Sequence, residues 1–76
     1  AGDSLDQLSA VPEARQSLID SRHAAGLTQR DVAAKLKRPQ SFVSKYESGE
    51  RQLDVVEFVS VCSAIGADAT VIVSKL

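Results

Sequence analysis

One stretch constrains this chain more than any other: Leu27 to Gly49, LTQRDVAAKLKRPQSFVSKYESG. Helical spacing runs from Gln29 to about Leu36 and again from Gln40 to about Glu47. Pro39 stands between them, and a proline cannot continue a helix but can open the next. Val32, Ala33, Leu36, Val43 and Tyr46 fall on the inward faces, while Gln40, Ser41, Ser44 and Lys45 are left on the outside of the second helix. Ala33 is small, so the two helices can approach closely. The spacing predicts a small hydrophobic clamp holding up a polar helix.

The rest of the chain reads as scaffold for this clamp. Thr28 caps the first of the two helices. Asp31, three residues on, completes a capping box, and Leu27 staples onto Val32. Upstream, Pro12 suits the first turn of a helix running to about Ala25. Leu18, Arg22 and Ala25 share a face there, with Val11 and Ala14 on its upstream extension, and Gly26 ends it. Downstream, Ser48-Gly49 stops the polar helix. Asp54, Glu57 and the Leu53–Phe58 staple open another, whose stripe is Phe58, Val61, Cys62 and Ile65, extended by Val55 or Val56; Gly66 closes it. Thr70-Val71-Ile72-Val73 is β-branched and predicts a short strand. A lone strand either pairs with the same strand of a second protomer or folds back as a frayed strand or helix, which makes 67–76 a candidate dimerisation tail. Residues 1–8 are small, acidic and polar, and are expected to fray.

Composition narrows the function. A chain of 76 residues is bounded to one small domain with a modest core. A single cysteine, Cys62, excludes an internal disulfide and a cysteine-based zinc site, and fits a reducing, cytoplasmic home. His23 has no second His or Cys nearby, so no metal is expected. No apolar run approaches the roughly 18 residues of a membrane span, and the opening residues are not a signal peptide. There is no Ser/His/acid set and no glycine-rich phosphate loop, so neither an enzyme nor a cofactor is expected. The net charge is −1, which by itself argues against nucleic acid. Its distribution argues the other way. Residues 28–51 carry six basic side chains against three acidic ones, and both flanks are net negative. The positive charge sits on the clamp, where a phosphate backbone needs it.

The segments Gly26-Leu27-Thr28-Gln29, Val32-Ala33-Ala34-Lys35-Leu36, Gln40 to Glu47 and Gly49-Glu50-Arg51 together resemble the Cro/repressor-type (xenobiotic-response-element-like) helix-turn-helix family of phage and bacterial regulators. The resemblance covers about residues 12–66. It departs from the family at the turn, where Lys37 replaces the usual glycine and Arg38 an aliphatic residue; Lys37 must then accept the turn geometry, with positive φ. The implied fold is all-α: residues 1–76 as a single compact four-helix, repressor-like helix-turn-helix domain, or five elements counting the short C-terminal β-strand. The implied function is sequence-specific binding of double-stranded DNA by a homodimeric transcriptional repressor, dimerised through Thr70, Val71, Ile72 and Val73.

On that resemblance the helix at 40–47 enters the major groove, with Gln40 and Ser41 at base edges and Ser44 and Lys45 one turn on. Gln can bond adenine through N6 and N7, and Lys can donate to guanine. Gln29 is expected to bind a phosphate and brace Gln40; Lys35, Lys37, Arg38 and Arg51 are expected to contact phosphates without reading sequence. Phe42 either packs beneath the clamp or presents its ring to a thymine methyl. Two other readings fit the same residues: a protein-interaction module of this fold that has lost DNA, and an antitoxin or controller acting with a partner protein.

Overall fold

The computed structural model describes residues 12–74, which form five helices: α1 (Pro12–Ala24), α2 (Gln29–Leu36), α3 (Gln40–Ser48), α4 (Val55–Ile65) and α5 (Ala69–Ser74). The expectations for residues 1–8 and for Val11 lie outside the described residues.

Local chemistry sets the helix boundaries. Thr28 Oγ1 accepts the Asp31 N–H at 3.0 Å and Asp31 Oδ2 accepts the Thr28 N–H at 2.9 Å, closing a capping box on α2. Asp54 and Glu57 repeat the arrangement on α4 at 2.7 and 3.1 Å. Each cap contributes about 1 kcal/mol by satisfying donors that the helix leaves orphaned. Pro39 takes the N-cap position of α3, which carries no side-chain cap. The turn into α3 is made by Lys37 in the left-handed region, φ 57 and ψ 43. There the Arg38 N–H reaches the Ala33 carbonyl at 3.0 Å, as it must if the last carbonyls of α2 are to be satisfied.

α2 and α3 pack on each other, α4 lies against α2, α1 crosses α3 and α4, and α5 closes against α1 and α4. Leu18, Val32, Val43, Tyr46, Leu53 and Phe58 fill the centre with almost no exposed area. Ala33 on α2 and Ala14 on α1 are both buried, their small side chains suiting close helix approach.

Two expectations are corrected. The described residues contain no C-terminal β-strand; Ala69–Ser74 is helical. Asp68 starts α5, its Oδ1 accepting the Thr70 N–H at 2.9 Å and its carbonyl accepting the Ile72 N–H at 3.1 Å. Ile72 is thereby carried into the core, 4% exposed. Burying one such side chain is worth about 1.5–3 kcal/mol, against about 0.7 kcal/mol or less per residue for poor helix propensity. A lone strand would also have left its backbone unpaired, so the strand-paired dimer through Thr70, Val71, Ile72 and Val73 is not available to this fold. The second correction concerns the stripe on α4: Val55 and Val56 are both exposed, 38% and 75%, and neither extends it.

Candidate nucleic-acid interface

A chain of polar contacts begins in α1 and ends on the outer face of α3. Arg22 points inward on the face it shares with Leu18, where a lone cation would be costly to bury. Glu47, near the end of α3, meets it: Arg22 Nε donates to Glu47 Oε2 at 2.7 Å and Nη2 to Oε1 at 3.1 Å. The two side chains are only 12% and 7% exposed. Arg22 also donates to the Leu27 carbonyl at 2.9 Å, tying the α1–α2 loop to the same pair. Its Nη2 lies 2.9 Å from His23 Nε2.

Glu47 passes the constraint on. Gln29 Nε2 donates to Glu47 Oε1 at 2.9 Å, and Gln29 Oε1 faces Gln40 Nε2 at 3.5 Å. The carboxylate can only accept, which settles which way the Gln29 amide points. It therefore turns its oxygen to Gln40, whose NH2 turns inward in response. The Gln29–Gln40 contact is long and weak by itself. Its effect is orientation of an exposed amide that carries both a donor and an acceptor.

Around this chain the predicted site residues divide. Gln40, Ser41, Ser44 and Lys45 are all exposed on α3. Gln29 is half-buried and shares an open hollow with His23, Thr28, Arg30 and Gln40. Lys35 and Lys37 are exposed at the end of α2. Lys35 lies one turn beyond Asp31, whose carboxyl is held below its usual value by hydrogen bonds from Thr28, with the Lys35 charge helping.

Arg38 and Arg51 are brought together on the other flank of α3. Their guanidinium carbons stand 4.8 and 4.7 Å from the centroid of the Phe42 ring, within cation–π range. Phe42 is 8% exposed and meets Tyr46 edge-on, ring centroids 5.7 Å apart. Of the two readings left open for Phe42, the packed one is observed. Both arginines also reach Glu57 Oε2, Arg51 at 2.7 Å and Arg38 at 3.7 Å.

The sequence reading singles out neither Glu47 and Glu57 as partners of these arginines nor Arg30 as a residue of the hollow. One signal pointed to the first: Arg22 recurs on the same face as Leu18, and a charged residue on an inward face requires an opposite charge across from it.

The helix-turn-helix domain family matches residues 17–72 of the chain. Among solved structures, an XRE-family like protein from Pseudomonas syringae pv. tomato str. DC3000 superposes with a TM-score of 0.83 at 48% identity, over 87% of this chain and 80% of that one. No curated protein matches the chain closely enough to be counted a relative.

Proposed function

We propose that this chain, which belongs to the Cro/XRE-type helix-turn-helix family of DNA-binding transcription regulators, is a homodimeric repressor that reads the major groove with α3. Gln40 and Ser41 lead at the base edges, with Ser44 and Lys45 one turn behind. Gln29, Lys35, Lys37, Arg38 and Arg51 hold the backbone. The observation that carries this reading is the Arg22–Glu47–Gln29–Gln40 chain. It links a part-buried ion pair to an exposed amide at the start of α3.

A homodimer follows from arithmetic on contacts. One α3 reaches a few bases, and tight site-specific binding comes from two half-sites one helical turn apart, about 34–36 Å. The exposed apolar surface on which two copies would meet is the groove between α4 and α5, lined by Val55, Val59, Ala69, Thr70 and Val73. Repression is then occupancy: a dimer seated across a promoter excludes the polymerase, in the cytoplasm where bacterial DNA lies.

Selection of bound duplexes from a random pool, followed by titration of the winner at fixed salt, tests the reading. The expected product is a palindrome with half-sites one turn apart. On it Gln40→Ala loses about 1–3 kcal/mol and relaxes preference at one base pair in each half-site. Enrichment of no sequence, or a Gln40→Ala variant with unchanged affinity and preference, would remove α3 from the reading role.

A further inference from the structure

Glu57 uses its two carboxylate oxygens for different ends. Oε1 accepts the Asp54 N–H at 3.1 Å and closes the cap of α4. Oε2 gathers two cations, Arg51 at 2.7 Å and Arg38 at 3.7 Å, which come from either end of α3 and lie on the ring of Phe42. The cap needs no charge, since a glutamine at this position closes the box as well. The cations do need it: two guanidinium groups at one oxygen repel each other unless an anion sits between them. That arrangement is also the one in which arginines take a phosphate oxygen. The arginine side chains remain 48% and 35% exposed, and Glu57 15%. The carboxylate is the covered partner and the guanidinium groups the accessible ones, so another anion can reach the arginines from solvent.

We propose that Glu57 is an internal competitor for the DNA backbone. Its carboxylate holds Arg38 and Arg51 on Phe42, and a phosphate competes with it for these two guanidinium groups. The proposal rests on the DNA-binding reading above and adds to it a positioning residue that touches no DNA. Its effect is uniform over sequences, because phosphate contacts carry no base information. Glu57 thereby limits how strongly the domain is held by bulk DNA while leaving Gln40 and Ser41 to discriminate.

Glu57→Gln separates the two uses, keeping the acceptor for the Asp54 N–H and turning a donor toward the arginines. Fluorescence anisotropy of labelled random and selected duplexes, between 50 and 200 mM salt, provides the test. Glu57→Gln should tighten both duplexes by the same factor, about tenfold at the low-salt end, and steepen the log affinity–log salt slope by about one to two. Adding Arg38→Gln and Arg51→Gln to it should abolish both changes. An unchanged slope, or weaker binding by a Glu57→Gln protein that melts as the wild type does, overturns the proposal and leaves the DNA reading standing. A wild type that binds no duplex overturns both. If Glu57→Gln fails to fold, the arginine variants in the presence of Glu57 decide: each should flatten the wild-type slope by clearly less than the roughly 0.9 of a free contact, and a full loss from each overturns the proposal.

Discussion

Arg22 on α1 grips Glu47 on α3 through two part-buried N–H···O bonds of 2.7 and 3.1 Å, and Glu47 also accepts from the amide of Gln29. Removing one partner leaves the other charge part-buried with neutral hydrogen-bond partners such as Leu27 or Gln29, at a cost approaching that of a broken buried pair, about 3–5 kcal/mol. Small domains have about 5–15 kcal/mol in all. Glu47→Ala is therefore expected to lose a large part of the stability in a urea melt. Replacing both partners, Arg22→Met with Glu47→Leu, should recover most of it, since apolar side chains of similar volume often substitute for a buried pair without loss. The double variant should fold yet discriminate bases less well, because Gln29 has lost its anchor. A double variant with wild-type base preference would show that the pair serves stability alone.

Lys37 sits in the left-handed region at φ 57, a conformation that costs a residue with a Cβ about 1–2 kcal/mol. Lys37→Gly should raise the stability by about 1 kcal/mol, the gain being reduced by the extra freedom of glycine in the unfolded chain. If Lys37 also touches a phosphate, the same variant loses affinity on every duplex alike. The informative result is the combination: a higher melting temperature with a salt slope lower by about 0.9. A lower melting temperature would mean that the lysine side chain supports the turn in a way its backbone angles do not reveal.

How much of this was legible beforehand follows from where the signals are local. The capping boxes at Thr28–Asp31 and Asp54–Glu57, the stops at Gly26, Gly49 and Gly66, and the inward set Val32, Ala33, Leu36, Val43 and Tyr46 are local or periodic, and the structure has them, Leu36 only partly buried. The tail departs from its β-branched composition because that composition is a weak preference, overridden when Ile72 can be buried against α1 and α4. Asp68 as a helix cap was the competing signal in the same sequence. The polar chain was only half legible. Arg22 on an inward face implied a partner, but its partner is 25 residues away, and no spacing rule connects positions that far apart. The Arg38–Phe42–Arg51 stack has the same origin: a turn and a loop that meet only after α3 has folded between them.

Cys62 gives the pH dependence a sign. Burial, with the negative charge of Asp68 adding to it, pushes its thiol up to about 11 from an ordinary value of 9.0. A group whose ionisation is disfavoured in the folded state contributes stability that is complete below its unfolded value and lost as the pH rises through its folded one. The thiol contribution should be intact at neutral pH and decline between about pH 9 and pH 11. Thermal melts of the wild type and Cys62→Ala over pH 8–11 should converge as the pH rises, the variant being less stable throughout the lower range because of its cavity. Tyr46, whose hydroxyl is also pushed up by burial, loses stability above pH 10 in both proteins, so the difference between them isolates the thiol. A constant gap across the range would mean that Cys62 is not shielded as the packing implies.

The last expectation concerns how two copies meet. α5 divides its side chains: Ile72 is 4% exposed and belongs to the core, while Val73 is 40% exposed and faces a groove with Val55 and Val59, at 38% and 51%. An apolar surface of this kind is what a two-fold interface uses, since the same patch on each protomer covers the other. A charge in the groove should break the dimer and spare the fold; a cavity beneath α5 should do the reverse. Val59→Lys and Val73→Lys are expected to sediment as monomers at micromolar concentration, with melting temperatures near those of the monomeric domain. They should bind a single half-site as well as the wild type does and lose the gain from a second. Ile72→Ala is expected to lose about 2–5 kcal/mol with the groove chemistry unchanged. If Val59→Lys and Val73→Lys stay dimeric, the α4–α5 groove is not the interface. A wild type that is monomeric both free and on a two-half-site duplex would remove the dimer itself.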